Sequence, residues 1–138
     1  MARQFTPVPG DGIHQSVLIV DDEPMARTLL RLMLVRAGFH VSEAEDGYDA
    51  LDKVRKNQPD VVLLDVMMPG MDGPTTLQRL RDQAELAATP VAFVTAKVQP
   101  QEVAHFKSIG AVDFIAKPFD PMALADQIRD LWMHCRNG

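Results

Sequence analysis

The chain has 138 residues, 46% of them hydrophobic, which suits one domain with a real apolar core. Its 14 basic and 19 acidic residues leave a net charge of −5; this argues against a nucleic-acid footprint, and the short Lys53-Val54-Arg55-Lys56 cluster reads as the solvated face of a helix. The single cysteine, Cys135, excludes an internal disulfide framework, and four scattered histidines give no metal-ligand spacing, so a reducing, cytoplasmic setting is expected.

Met1 to His14 contain neither the charged and apolar regions of a secretory signal nor a run of membrane-spanning length. They read as a flexible Pro/Gly-containing lead, residues 1–14, ahead of a domain over residues 15–138. A β-branched apolar run predicts a first strand over Val17 to Val20, and helical periodicity predicts a helix over Pro24 to Ala37 with Gly38 as its stop. A second strand, Val41 to Ala44, is followed by a helix over Tyr48 to Lys56. The third run, Val61 to Leu64, reads as a strand buried on both faces, yet it goes straight into Asp65 and a turn-rich Met-Pro-Gly-Met-Asp-Gly. Next come a helix over Pro74 to Gln83, a strand over Val91 to Val94, a helix over Pro100 to Ser108 and a strand over Asp113 to Ala116. The last helix, Pro121 to Cys135, is opened by Asp120 as a capping acid before a proline at the first helical position. Its stripe of Leu124, Ile128, Leu131, Trp132 and Cys135 reads as core.

Strict alternation of strand and helix predicts an α/β fold, a parallel sheet with helices on both faces, whose ligand site lies beyond the carboxyl ends of the strands. The residues at those ends therefore matter most. The first run ends on Asp21-Asp22, the third on Asp65, the fourth on Thr95 and the fifth on Lys117-Pro118. Three carboxylates at one rim raise one another's pKa unless a cation sits among them, and all-oxygen ligands facing water suit Mg²⁺. Lys117 adds positive charge and Thr95 a hydroxyl donor. Together these groups describe a place where a phosphoryl group is accepted, with Asp65 attacking phosphorus to form an acyl phosphate. An isolated aspartate after a strand is usually a cap or turn residue. Agreement at four strand ends is what shifts the reading to function.

The motifs LIVDDEP, LLDVMMPGMDG, VTA and FIAKPF, taken together, resemble the receiver domain of two-component response regulators over about Ser16 to Met133. That resemblance implies a single doubly wound, flavodoxin-like five-stranded sheet in order 2-1-3-4-5 with five flanking helices. It implies that Asp65 takes a phosphoryl group from a histidine kinase or histidine phosphotransfer protein. It also implies that Asp22, Asp65 and the backbone carbonyl of Met67 bind Mg²⁺ directly, while Asp21 holds it through water. Thr95 and Lys117 match the residues that contact the phosphoryl group, Lys117-Pro118 matches a cis peptide, and Phe114 falls at the switch aromatic. Read alone, Phe114 is core. The resemblance further implies a signalling domain and no conventional enzyme. The fourth helix, fifth strand and fifth helix would form the face that meets a phosphorylation-dependent downstream protein or output domain, or a second copy in a homodimer on activation.

Two other classes share this topology. An aspartyl-nucleophile phosphohydrolase needs a second acid two residues beyond the nucleophile, where this chain has Met67, and a nucleotide- or flavin-binding module needs a phosphate-cradling loop that DDEPMAR does not supply. Met67 and Lys97, two beyond Asp65 and Thr95, depart from the fast-cycling chemotaxis members of the family. Neither can accept a proton from an attacking water, and a long-lived acyl phosphate is expected.

Overall fold

Period-two alternation along each strand divides the apolar residues between two layers. In the computed structural model, which describes residues 15–96, 99–117 and 120–137, the strands are β1 (Ser16–Val20), β2 (His40–Ala44), β3 (Val61–Asp65), β4 (Val91–Thr95) and β5 (Asp113–Ala116). They form one parallel sheet in the order β2-β1-β3-β4-β5. Val17, Ile19, Val61, Leu63, Ala92, Val94 and Ile115 face one layer; Leu18, Val20, Val62, Leu64, Val91 and Phe93 face the other. β3, at the centre, is buried at every position.

Five helices supply the two covers: α1 (Pro24–Arg36), α2 (Gly47–Asn57), α3 (Gly73–Arg81), α4 (Pro100–Ser108) and α5 (Pro121–Asn137). α1 and α5 close the first layer with Leu30, Leu34, Leu124, Ile128 and Leu131, whereas α2, α3 and α4 close the second with Val54, Leu77, Leu80 and Phe106. The fold and strand order match expectation, as do the buried positions Leu124, Ile128 and Leu131. No helix among the described residues is long and apolar enough to cross a membrane.

The helix ends follow local chemistry. α1 stops because Gly38 adopts φ +100°, which lets the amides of Gly38 and Phe39 satisfy the carbonyls of Val35 and Leu34 at 3.1 Å each. Asp46 and Asp72 cap α2 and α3 by accepting from the amides of Asp49 (2.8 Å) and Thr75 (2.9 Å). The Asp46 cap also explains why α2 begins at Gly47, one residue before the expected Tyr48. α3 ends at Arg81, two residues before the expected Gln83, and a short 3₁₀ turn over Ala84–Leu86 follows that the sequence did not predict; it plugs Leu86 into the core. Ladder pairing runs one residue further than the apolar runs: Asp65 pairs with Val94 and Thr95 with Ala116, so both are the last residues of their strands.

The lead over residues 1–14, Lys97, and the Lys117-Pro118 peptide fall on or depend on residues outside those described. The side chains of Trp132 and Cys135 are likewise outside the description.

Candidate functional site

The parallel sheet brings the four expected strand ends to one rim. β1 ends at Val20, and the amide of Asp21 still reaches the carbonyl of Ala44 at 3.2 Å, so the chain turns only after it. Within that turn Asp21 Oδ1 accepts from the amide of Glu23 at 2.9 Å. Asp65 closes β3, and Lys117 follows β5 with its amide bonded to the carbonyl of Thr95 at 3.0 Å. Its Nζ lies 3.3 Å from Asp21 Oδ2 and 3.7 Å from Asp65 Oδ1. Asp21, Asp22 and Asp65 each present a carboxylate oxygen within 4.8 Å of the others.

Two of these acids are buried: Asp21 is 4% and Asp65 8% exposed, and Asp22 is the most accessible of the three. Burial pushes the Asp65 carboxyl up from 3.8 to about 6. Lys117 and an amide hydrogen bond from Met67 pull it down, while Asp21 and Asp22 add to the rise. Among the described residues three acids therefore share one ammonium, which leaves an excess of negative charge. Hard oxygen donors with a charge deficit are what a small divalent cation fits.

A cavity of about 580 Å³ opens above these groups, lined by Asp22, Asp65, Met67, Thr95 and Lys117 together with Gln99 and Glu102 from the start of α4. Met67 is 78% exposed at the edge of this cavity. Phe114 is not in the cavity lining. It is half-buried on β5, its ring centroid 6.2 Å from Phe93 and 5.9 Å from Phe106 of α4, with the latter two rings 4.8 Å apart. The predicted site residues thus divide into a rim cluster and an aromatic contact one layer below it.

Three neighbours of the site went unpredicted. Gln99 and Glu102 form a capping box, with Glu102 Oε1 accepting from the Gln99 amide at 3.3 Å, and the Q-x-x-E spacing before an amphipathic helix was its available signal. Arg27 reaches from α1 to the carbonyl of Asp21 at 2.6 Å. Nothing in its sequence position distinguishes it from any exposed helical arginine.

Residues 17–129 match the model of the response regulator receiver domain. Protein PilH of Pseudomonas aeruginosa is 40% identical over 112 residues, 81% of this chain and 93% of that protein. The transcriptional regulatory protein CseB of Streptomyces avermitilis is 39% identical over 113 residues, 82% of this chain and 47% of that protein; the chain spans about half the length of several of the curated relatives it matches. Among solved structures, Vibrio cholerae chemotaxis protein CheY4 superposes with a TM-score of 0.81 at 33% identity, covering 86% of this chain and 98% of that one. Strand order, rim chemistry and these similarities converge, and the chain belongs to the response regulator receiver domains of two-component signalling.

Proposed function

We propose that Asp65 is a phosphoacceptor, taking a phosphoryl group from the phosphohistidine of a histidine kinase or histidine phosphotransfer protein. A carboxylate oxygen of Asp65 forms the bond to phosphorus as the phosphorus–nitrogen bond of the donor breaks, and the electron pair returns to the imidazole nitrogen. The observation that carries this reading is the environment of Asp65: a nearly buried carboxylate at a cavity floor, pushed up to about 6 and still ionised at neutral pH, with Lys117 3.7 Å away. A desolvated carboxylate is a better nucleophile than a solvated one, and a nearby ammonium offsets charge on the transferring oxygens. Thr95, at the wall of the same cavity, offers a hydroxyl to a phosphoryl oxygen.

Asp22 and Asp65, with the Met67 carbonyl, would hold Mg²⁺ directly and Asp21 would hold it through water. When bound, the ion supplies the charge neutralisation that phosphoryl transfer needs. The output follows from the layer beneath. Thr95 and Ala116 pair across β4 and β5, as do Phe93 and Phe114, and Phe114 touches Phe106 of α4. Drawing Thr95 toward a phosphoryl group disturbs that ring contact and repacks the α4-β5-α5 face, where a downstream protein, an output domain or a second copy would sense it. In this reading the domain assists its own phosphorylation and dephosphorylation and is no turnover enzyme.

The test is intact mass after incubation with acetyl phosphate and Mg²⁺. The parent gains one phosphoryl group and Asp65→Ala gains none; equal labelling of the two overturns the assignment.

A further inference from the structure

We infer that Arg27 positions the acidic turn for its cation, with Glu43 of the neighbouring strand as the post that orients it. This rests on the cation reading proposed above. Arg27 lies in α1, but its guanidinium turns back toward the rim. Nε donates to Glu43 Oε1 at 3.1 Å and Nη1 donates to the carbonyl of Asp21 at 2.6 Å. Arg31, one turn further on, reaches the other carboxylate oxygen of Glu43 at 3.4 Å. Lys53 donates to the backbone carbonyl of Glu43, so both the side chain and the backbone of that residue are held.

An ion pair at this exposure, 18% for Arg27 and 33% for Glu43, contributes little stability by itself. Its significance lies in where the second contact of Arg27 falls. The carbonyl of Asp21 belongs to the peptide that joins it to Asp22. With that contact made, the amide, carbonyl and both carboxylate oxygens of Asp21 are engaged, by Ala44, Arg27, Glu23 and Lys117 respectively. No hydrogen bond or ion pair among the described residues holds the Asp22 carboxylate, so the direction in which it leaves the chain is set by the peptide plane that Arg27 fixes. The task suits a planar fork that holds two acceptors in fixed directions, whereas an ammonium is a rotatable point charge that does not fix them. Glu43, which it shares with Arg31, offsets part of the guanidinium charge next to the cluster.

Loss of an outer partner of a metal ligand typically weakens metal affinity by about 10- to 100-fold. Because Arg27 acts through one peptide of one ligand, the lower end, about tenfold, is expected. Calorimetry of Mg²⁺ binding would compare the full chain with Arg27→Ala, Arg27→Lys and Glu43→Gln. Amide exchange at Glu23, whose amide bonds to Asp21, would be followed in the metal-free proteins. Arg27→Ala and Arg27→Lys should both bind Mg²⁺ about tenfold more weakly, with Arg27→Lys keeping the melting temperature near that of the parent, and Glu43→Gln should fall between. Exchange at Glu23 should accelerate while amides at Leu30 and Leu34 do not change. If the parent binds Mg²⁺ and both Arg27 variants bind it equally well, Arg27 is only a structural residue and the inference is overturned. If the parent binds no Mg²⁺, the cation reading itself fails and takes the inference with it.

Discussion

Asp65→Asn should make the metal-free protein more stable, and increasingly so as pH rises. The carboxyl of Asp65 lies at about 6 in the folded chain against an ordinary 3.8, so the folded state binds the proton more tightly than the unfolded state. For a group raised in this way, stability is full below the unfolded value and is lost as pH climbs through the folded one. The shift from 3.8 to about 6 corresponds to about 3 kcal/mol at roughly 1.4 kcal/mol per unit. By the same linkage, about 1 kcal/mol of that is already expressed near about pH 4.5 and nearly all of it by about pH 7.5. Asparagine keeps the shape and removes the charge. The stability gap between variant and parent should therefore widen by about 2 kcal/mol across that interval. Urea unfolding at several pH values measures it, and the comparison cancels the titration of every group the two proteins share. Adding Mg²⁺ at neutral pH should narrow the gap, since the ion stabilises the parent, with its full set of carboxylates, more than the variant that has lost one of them. A gap that stays constant with pH would refute the claim that desolvation of Asp65 dominates this site.

Three further outcomes follow from other parts of the structure. With beryllofluoride and Mg²⁺, amide exchange should change most over Gln101 to Phe106 and Asp113 to Lys117, the segments flanking the Phe106–Phe114 contact; a maximum on Tyr48 to Lys56 would contradict the switch. Met67→Asn combined with Lys97→Glu should shorten the phosphoprotein lifetime, measured as phosphate release after donor removal, because an amide and a carboxylate can orient the attacking water where a thioether cannot; an unchanged lifetime would mean that access alone controls hydrolysis. Gly73→Ala should cost about 2 kcal/mol in urea unfolding, since the added Cβ would strike the carbonyl of Asp65 and the Cα of Val66, backbone atoms that cannot yield without moving the end of β3.

The residues that were legible in the sequence share one property: their position follows from topology alone. Once strand and helix alternate, Asp21, Asp22, Asp65, Thr95 and Lys117 must meet at one rim, because parallel strands point the same way and each apolar run ends there. Period-two alternation likewise assigns Leu18 and Val20 to one layer and Val17 and Ile19 to the other without reference to any contact. What stayed hidden depends on where a side chain goes after it leaves its own element. Arg27 looks like any other arginine of α1 until its guanidinium is seen crossing to Glu43 and the Asp21 carbonyl. Phe114 was legible as a packing residue, and its half-buried ring does pack against Phe93 and Phe106, while its role as a switch belongs to the function proposed above. The Ala84–Leu86 turn escaped because three residues are too few for any periodicity, and only the burial of Leu86 gives that segment its reason to be ordered. The chemistry of the rim therefore comes from backbone topology, whereas the contacts of Arg27 with Glu43 and the Asp21 carbonyl come from a long side chain whose reach no sequence pattern encodes.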